Sequence, residues 1–98
     1  MKKQKTTISF DMPVSVFKEG KNYVAFTPAL DLSTSAPTYE GAKKRFEEAV
    51  VIFLEEVSKQ GTLEENLNNL GWKKVKKKWK SPVVVSQSLE GFNIPIYA

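Results

Sequence analysis

The chain has 98 residues, 41% hydrophobic and 27% charged, the composition of one globular domain with a modest core and no second unit. It has no cysteine and no histidine. Disulfides, thiolate metal sites, a cysteine nucleophile and imidazole as base or ligand are therefore excluded, and any catalysis would fall to carboxylates, Lys, Ser or Tyr.

The net charge of +4 is unevenly divided. Residues 1–30 carry five Lys against Asp11 and Glu19 (+3), and residues 31–70 carry Lys43, Lys44, Arg45 and Lys59 against eight acids (−4). Residues 71–98 carry six Lys against Glu90 (+5), so the middle is acidic and the ends are basic, a division that offers opposite fields to different partners. The opening Met1-Lys2-Lys3-Gln4-Lys5 is followed by the alternating Thr6 to Asp11. A secretory leader would place an apolar run of about 7–15 residues there. No stretch reaches the roughly 18–20 apolar residues of a membrane span, and a cytoplasmic protein is expected.

From Ile8 the apolar residues alternate through Phe10, Met12, Val14 and Val16, the period of a half-buried strand. Pro13 cannot donate a ladder hydrogen bond, so this strand is expected at an edge or to break there. Lys18-Glu19-Gly20-Lys21-Asn22 is a hairpin loop by composition, and Tyr23 to Thr27 is the returning strand. Ala29 to Ser33 is a third short strand, followed by a small-residue loop from Ser33 to Pro37. Thr38 is an N-cap with Glu40 in the first turn. Tyr39, Ala42, Phe46, Ala49, Val50, Phe53, Leu54 and Val57 then recur at helical spacing as one apolar stripe, and Gly61 ends the helix. Gly41, early in this helix, lowers its propensity.

Thr62-Leu63-Glu64-Glu65 has capping-box spacing ahead of a short helix marked by Leu63, Leu67 and Leu70 and stopped by Gly71. Trp72 to Val75 and Lys78 to Lys80 form a hairpin around Lys76-Lys77, a turn whose residues do not favour positive φ. Pro82 opens the β-branched run Val83-Val84-Val85, another candidate strand. The segment Phe92 to Ala98 is expected to be extended and to lie on a surface. The chain is thus a single α+β domain over residues 1–98: a core at 6–60, a helix–hairpin extension at 61–85 and a tail at 86–98. Its expected architecture is a three-stranded antiparallel sheet with one long packed helix, β-β-β-α, then a short helix and a C-terminal β-hairpin or strand.

Three groups of residues bear on function. Asp31 is an acid between Leu30 and Leu32, a candidate carboxylate that alternation places on the solvent side of its strand. Glu47, Glu48, Glu55 and Glu56 form an acidic helix face, suited to docking a protein; metal binding there would need ligands from other elements. Lys73, Lys74, Lys76, Lys77, Lys78 and Lys80 lie between Trp72 and Trp79, the interleaving of a single-strand nucleic-acid platform. The same lysines also protect an exposed hairpin from edge-to-edge pairing, and the tryptophans suit a core. Phosphate-loop, nucleophile-elbow and zinc patterns are absent, and no cofactor is expected.

The stretch Phe17 to Leu32, with its polar hairpin, Tyr23-Val24-Ala25 strand and Pro28-Ala29-Leu30-Asp31, resembles the HicB-type antitoxins. The Thr38-capped helix, Gly71-Trp72 and Trp79-Lys80-Ser81-Pro82 extend the likeness over about residues 8 to 82. The resemblance implies a partly degraded RNase H-like β-β-β-α core without a nuclease active site. It further implies a stand-alone, non-enzymatic antitoxin that binds a small basic HicA-type mRNA-cleaving toxin, with Asp31 and the four helix glutamates as candidate contacts. A homodimer or higher oligomer through an exposed edge strand is expected, and the lysine hairpin supplies an alternative role as a small nucleic-acid-binding module. Two departures from the family stand out. The residues after Pro82 are too few for the helix-turn-helix or ribbon-helix-helix operator reader of many members, and Ala36-Pro37 replace the glycine and acid common before the helix cap.

Overall fold

A computed structural model describes residues 7–97, so the lysine-rich opening, the first residue of the expected 6–60 core and Ala98 lie outside it. The chain is α+β, with strands β1 (Ser9–Asp11), β2 (Ser15–Glu19), β3 (Asn22–Thr27) and β4 (Leu32–Ala36) preceding helix α1 (Tyr39–Lys59). Helix α2 (Leu63–Asn69) and strands β5 (Lys73–Val75) and β6 (Lys78–Lys80) follow. The alternating run Ile8 to Val16 is broken at Met12–Val14, around the proline, and its two halves enter different sheets. β2, β3 and β4 form an antiparallel meander, whereas β1 pairs in parallel with β6, which also pairs with β5. The second sheet therefore joins the beginning of the described chain to its last strand.

Both hairpins turn on two residues with positive φ at the first: Gly20 at 61° and Lys76 at 58°. A positive φ at that position belongs to the primed turns, which match strand twist and favour glycine there. The third strand begins later than its β-propensity suggests. The buried Thr27 hydroxyl accepts a hydrogen bond from the Ala29 N–H at 3.2 Å, and Asp31 takes a positive φ of 50°. Residues 28–31 consequently form the β3–β4 turn, and the Ser/Thr-rich segment assigned to a loop becomes β4.

Alternation in the meander turns Val16, Tyr23, Ala25, Thr34 and Ala36 toward α1. The Thr38 hydroxyl caps α1 by accepting from the Gly41 N–H at 3.0 Å. A side chain on Gly41 would approach that hydroxyl oxygen to 2.8 Å and the Ala36 methyl to 3.1 Å, so the cap is built around the absence of a Cβ. At the other end Gly61 has φ 73°, with Gly61 N–H donating to Ser58 and Thr62 N–H to Val57. These two bonds complete a Schellman motif. Thr62 makes no capping box: its hydroxyl turns back and donates to the Val57 carbonyl at 3.3 Å, inside that motif. The short α2 closes in the same manner, with Gly71 N–H donating to Asn68 and Trp72 N–H to Leu67.

Two apolar clusters result. Ala25, Ala36, Ala42 and Phe46 fill the space between meander and helix. Ala29, Leu30, Leu54, Leu67, Trp72 and Trp79 form the second, with Ile8, Phe10 and Met12 packed against it. Leu32 and Val50 touch both. Trp72 donates its indole N–H to the Ala29 carbonyl at 2.9 Å, tying the β3–β4 turn to the extension, and Phe10 meets its ring edge-on at 6.4 Å. Among the described residues beyond Pro82 no strand forms: Val83 and Val84 line a depression with Asp11, Met12 and Pro13, and from Val85 onward the tail is exposed and rests on no surface of its own body. The root of the tail is held by Ser81 N–H donating to the Asp11 carbonyl.

Candidate functional site

The long helix carries more apolar residues than one face can hide. Ala49-Val50-Val51-Ile52-Phe53-Leu54 is six in succession, and at 100° per residue such a run must circle the axis. Val50, Phe53 and Leu54 turn inward, whereas Val51 and Ile52 are 52% and 67% exposed. Glu47 and Glu48 stand one turn before them and share with them a shallow depression of about 390 Å³. Glu55 and Glu56 stand one turn after, so an apolar centre is bracketed by four carboxylates, with no basic residue between positions 47 and 56. All four glutamates are exposed. The glutamates are legible as a face from their spacing, whereas the signal for Val51 and Ile52 is the unbroken apolar run itself.

Asp31 does not join this face. It is exposed, as expected, but it sits in the β3–β4 turn, not within a strand, where its positive φ reverses the chain. Among the described residues no three Asp, Glu, His or Cys side chains come together as a metal site.

The lysine hairpin is divided by its register. Lys74 lies opposite Trp79, on the face turned to the core, and reaches Glu64 at 3.9 Å. Lys73, Lys78 and Lys80 share the outer face with Val75, and Lys73 stands directly across from Lys80. Like charges in that arrangement repel. Lys78 is relieved by Asp11 at 3.2 Å, a pair that is half exposed on both sides. Lys76 and Lys77 form the turn. Trp72 and Trp79 are each only 2% exposed, so they anchor the core and offer no ring to a base. What remains at the surface is a cluster of point charges on a sheet with β5 at one of its two edges. Lysine there obstructs pairing with another strand and attracts phosphate without reading sequence.

No protein-family model, no curated protein and no solved structure matches this chain. Among the described residues no helix is long and apolar enough to cross a membrane.

Proposed function

We propose that the chain is a non-catalytic, antitoxin-type protein that neutralises a small basic ribonuclease by covering it with the outer face of α1. The observation that carries this reading is the exposed Val51–Ile52 centre within Glu47, Glu48, Glu55 and Glu56. An apolar centre with a charged rim is the anatomy of a protein interface: the centre excludes water, and the rim steers a partner of opposite sign. The order of elements that resembles the HicB-type antitoxins supplies the class of partner. A catalytic reading has less to work with, because the one acid set among apolar residues, Asp31, lies on a different element from the helix glutamates.

The test is co-expression with a candidate short basic ribonuclease, sought among the neighbouring genes and scored as rescue of growth, followed by binding kinetics on the purified pair. Reversing the four glutamates to Lys is expected to slow association about 10- to 1,000-fold at low salt, with the difference shrinking as salt rises. Val51→Asp with Ile52→Asp is expected to act on dissociation, weakening the complex by about 2–4 kcal/mol. Absence of rescue, or association and dissociation rates unchanged in both variants, removes this face from consideration.

A further inference from the structure

Two features of the molecule fit one another and are not in contact. The first is the tail. Val85, Leu89, Phe92, Ile94, Ile96 and Tyr97 each keep 70% or more of their surface exposed. The radius of gyration is 17.2 Å and the longest extent 68 Å, against about 13 Å of radius expected for a compact chain of this length. The tail therefore projects from its own body. Within it Phe92, Ile94 and Ile96 alternate with Asn93, Pro95 and Tyr97. Backbone groups of successive strand residues point to opposite edges, and Pro95 has no N–H to give. The segment can be paired fully only through the edge that carries residues 92, 94 and 96, which makes it a terminal strand that cannot pass pairing onward.

The second feature is β1. Ser9 and Asp11 direct their backbone groups to β6, with Ser9 N–H donating to Lys77 and the Asp11 carbonyl accepting from Ser81. The backbone of Phe10 faces the other edge, which no described strand occupies. Along this strand runs a trough between β1 and α1, in two depressions of about 650 and 570 Å³ that meet at Phe10. Ile8, Phe10 and Met12 form one wall, and Phe46, Val50 and Leu54 the other. Its rim is mixed in charge, with Lys43, Asp11 and Glu47 at one end and Lys59 and Glu55 at the other, and the tail's one charged side chain is Glu90.

We propose that residues 92–96 of one copy add as a strand to β1 of a second copy, laying Phe92, Ile94 and Ile96 in the trough, and that the exchange is reciprocal. The occupant is a second copy because the tail projects from its own body with its apolar side chains exposed, and a reciprocal exchange closes on a two-fold axis. Each tail lays one aromatic side chain of about 150–250 Å² and two isoleucines in the partner's trough, and with both tails and both troughs counted the exchange reaches the roughly 1,600 Å² of a stable interface. This assembly does not rest on the antitoxin role and is tested with the purified chain alone.

The measurement is mass by sedimentation, across micromolar to millimolar concentration, of the chain and of Phe92→Asp, Ile94→Asp, Ile96→Asp combined. These residues are exposed in the isolated chain, so the variant keeps its fold. The expected result is a dimer for the chain and a monomer for the variant, a weakening of at least about a hundredfold. The chain has no cysteine, so Ser58→Cys, in the trough, and Ile94→Cys can be made separately and mixed with a short bis-maleimide. A cross-linked pair of the two variants is expected. A monomeric native chain, a dimeric triple variant, or the absence of a cross-linked pair between the two single-cysteine variants would overturn the proposal.

Discussion

Lys76 and Gly20 occupy the same position in two hairpins, with φ of 58° and 61°. Glycine reaches that region without a Cβ clash, whereas an L side chain there costs roughly 1–2 kcal/mol. Lys76→Gly relieves this cost but adds freedom to the unfolded chain worth about 0.4–1 kcal/mol. A net gain of up to about 1 kcal/mol is expected, read as a higher denaturant midpoint with unchanged slope. Gly20→Lys is expected to move the midpoint the other way. At Gly41 propensity and packing oppose each other. Alanine is the better helix former by about 1 kcal/mol, yet its methyl would sit 2.8 Å from the Thr38 hydroxyl that caps the helix. Loss of the cap costs about 1 kcal/mol and overpacking about 1–3. Gly41→Ala should therefore destabilise, and a thermal midpoint at or above that of the native chain would show that the helix terminus shifts to accept the methyl.

The elements differ in how far the sequence disclosed them, and the differences have causes. α1 was legible from end to end because its period, its Thr38 cap and Gly61 act locally and agree. The first hairpin was legible because Gly20 stands where the turn needs it. The second hairpin was placed correctly despite Lys76, since packing of Trp79 holds a turn that its own residues disfavour. β4 lies a few residues beyond where the apolar pattern puts it: Ala29-Leu30-Asp31-Leu32 carries strand-like apolar residues, but Thr27 and Asp31 commit residues 28–31 to a turn and Leu30 to the second cluster. The division of Ile8 to Val16 between two sheets could be read at Pro13; which strand would receive each half could not, because parallel pairing with β6 is a tertiary choice. Of the candidate site, the glutamates were visible as spacing. Val51 and Ile52 became a surface only once the sheet had taken the opposite side of the helix.

At the scale of the whole molecule, two apolar clusters share Leu32 and Val50 but draw on different parts of the chain. The meander and the first half of α1 are built from neighbours in sequence. The second cluster needs Ile8 and Phe10 from one end and Trp72 and Trp79 from the other. A chain cut after Val75 loses β6, with it the partner of β1 and the Trp79 ring. It is expected to retain helical circular dichroism from α1 but to lose protection of the Ser9 amide, which donates to Lys77, and of the Trp72 amide in hydrogen exchange. Native-like protection of those amides in the cut chain would show that β6 is dispensable. The parallel pairing of β1 with β6 also has a consequence for biosynthesis. At roughly 5–20 residues per second, the ribosome delivers Lys78 several seconds after Asp11. Throughout that interval the meander can close on its local contacts, while the first strand waits, hydrogen-bonding groups exposed, for a partner not yet translated.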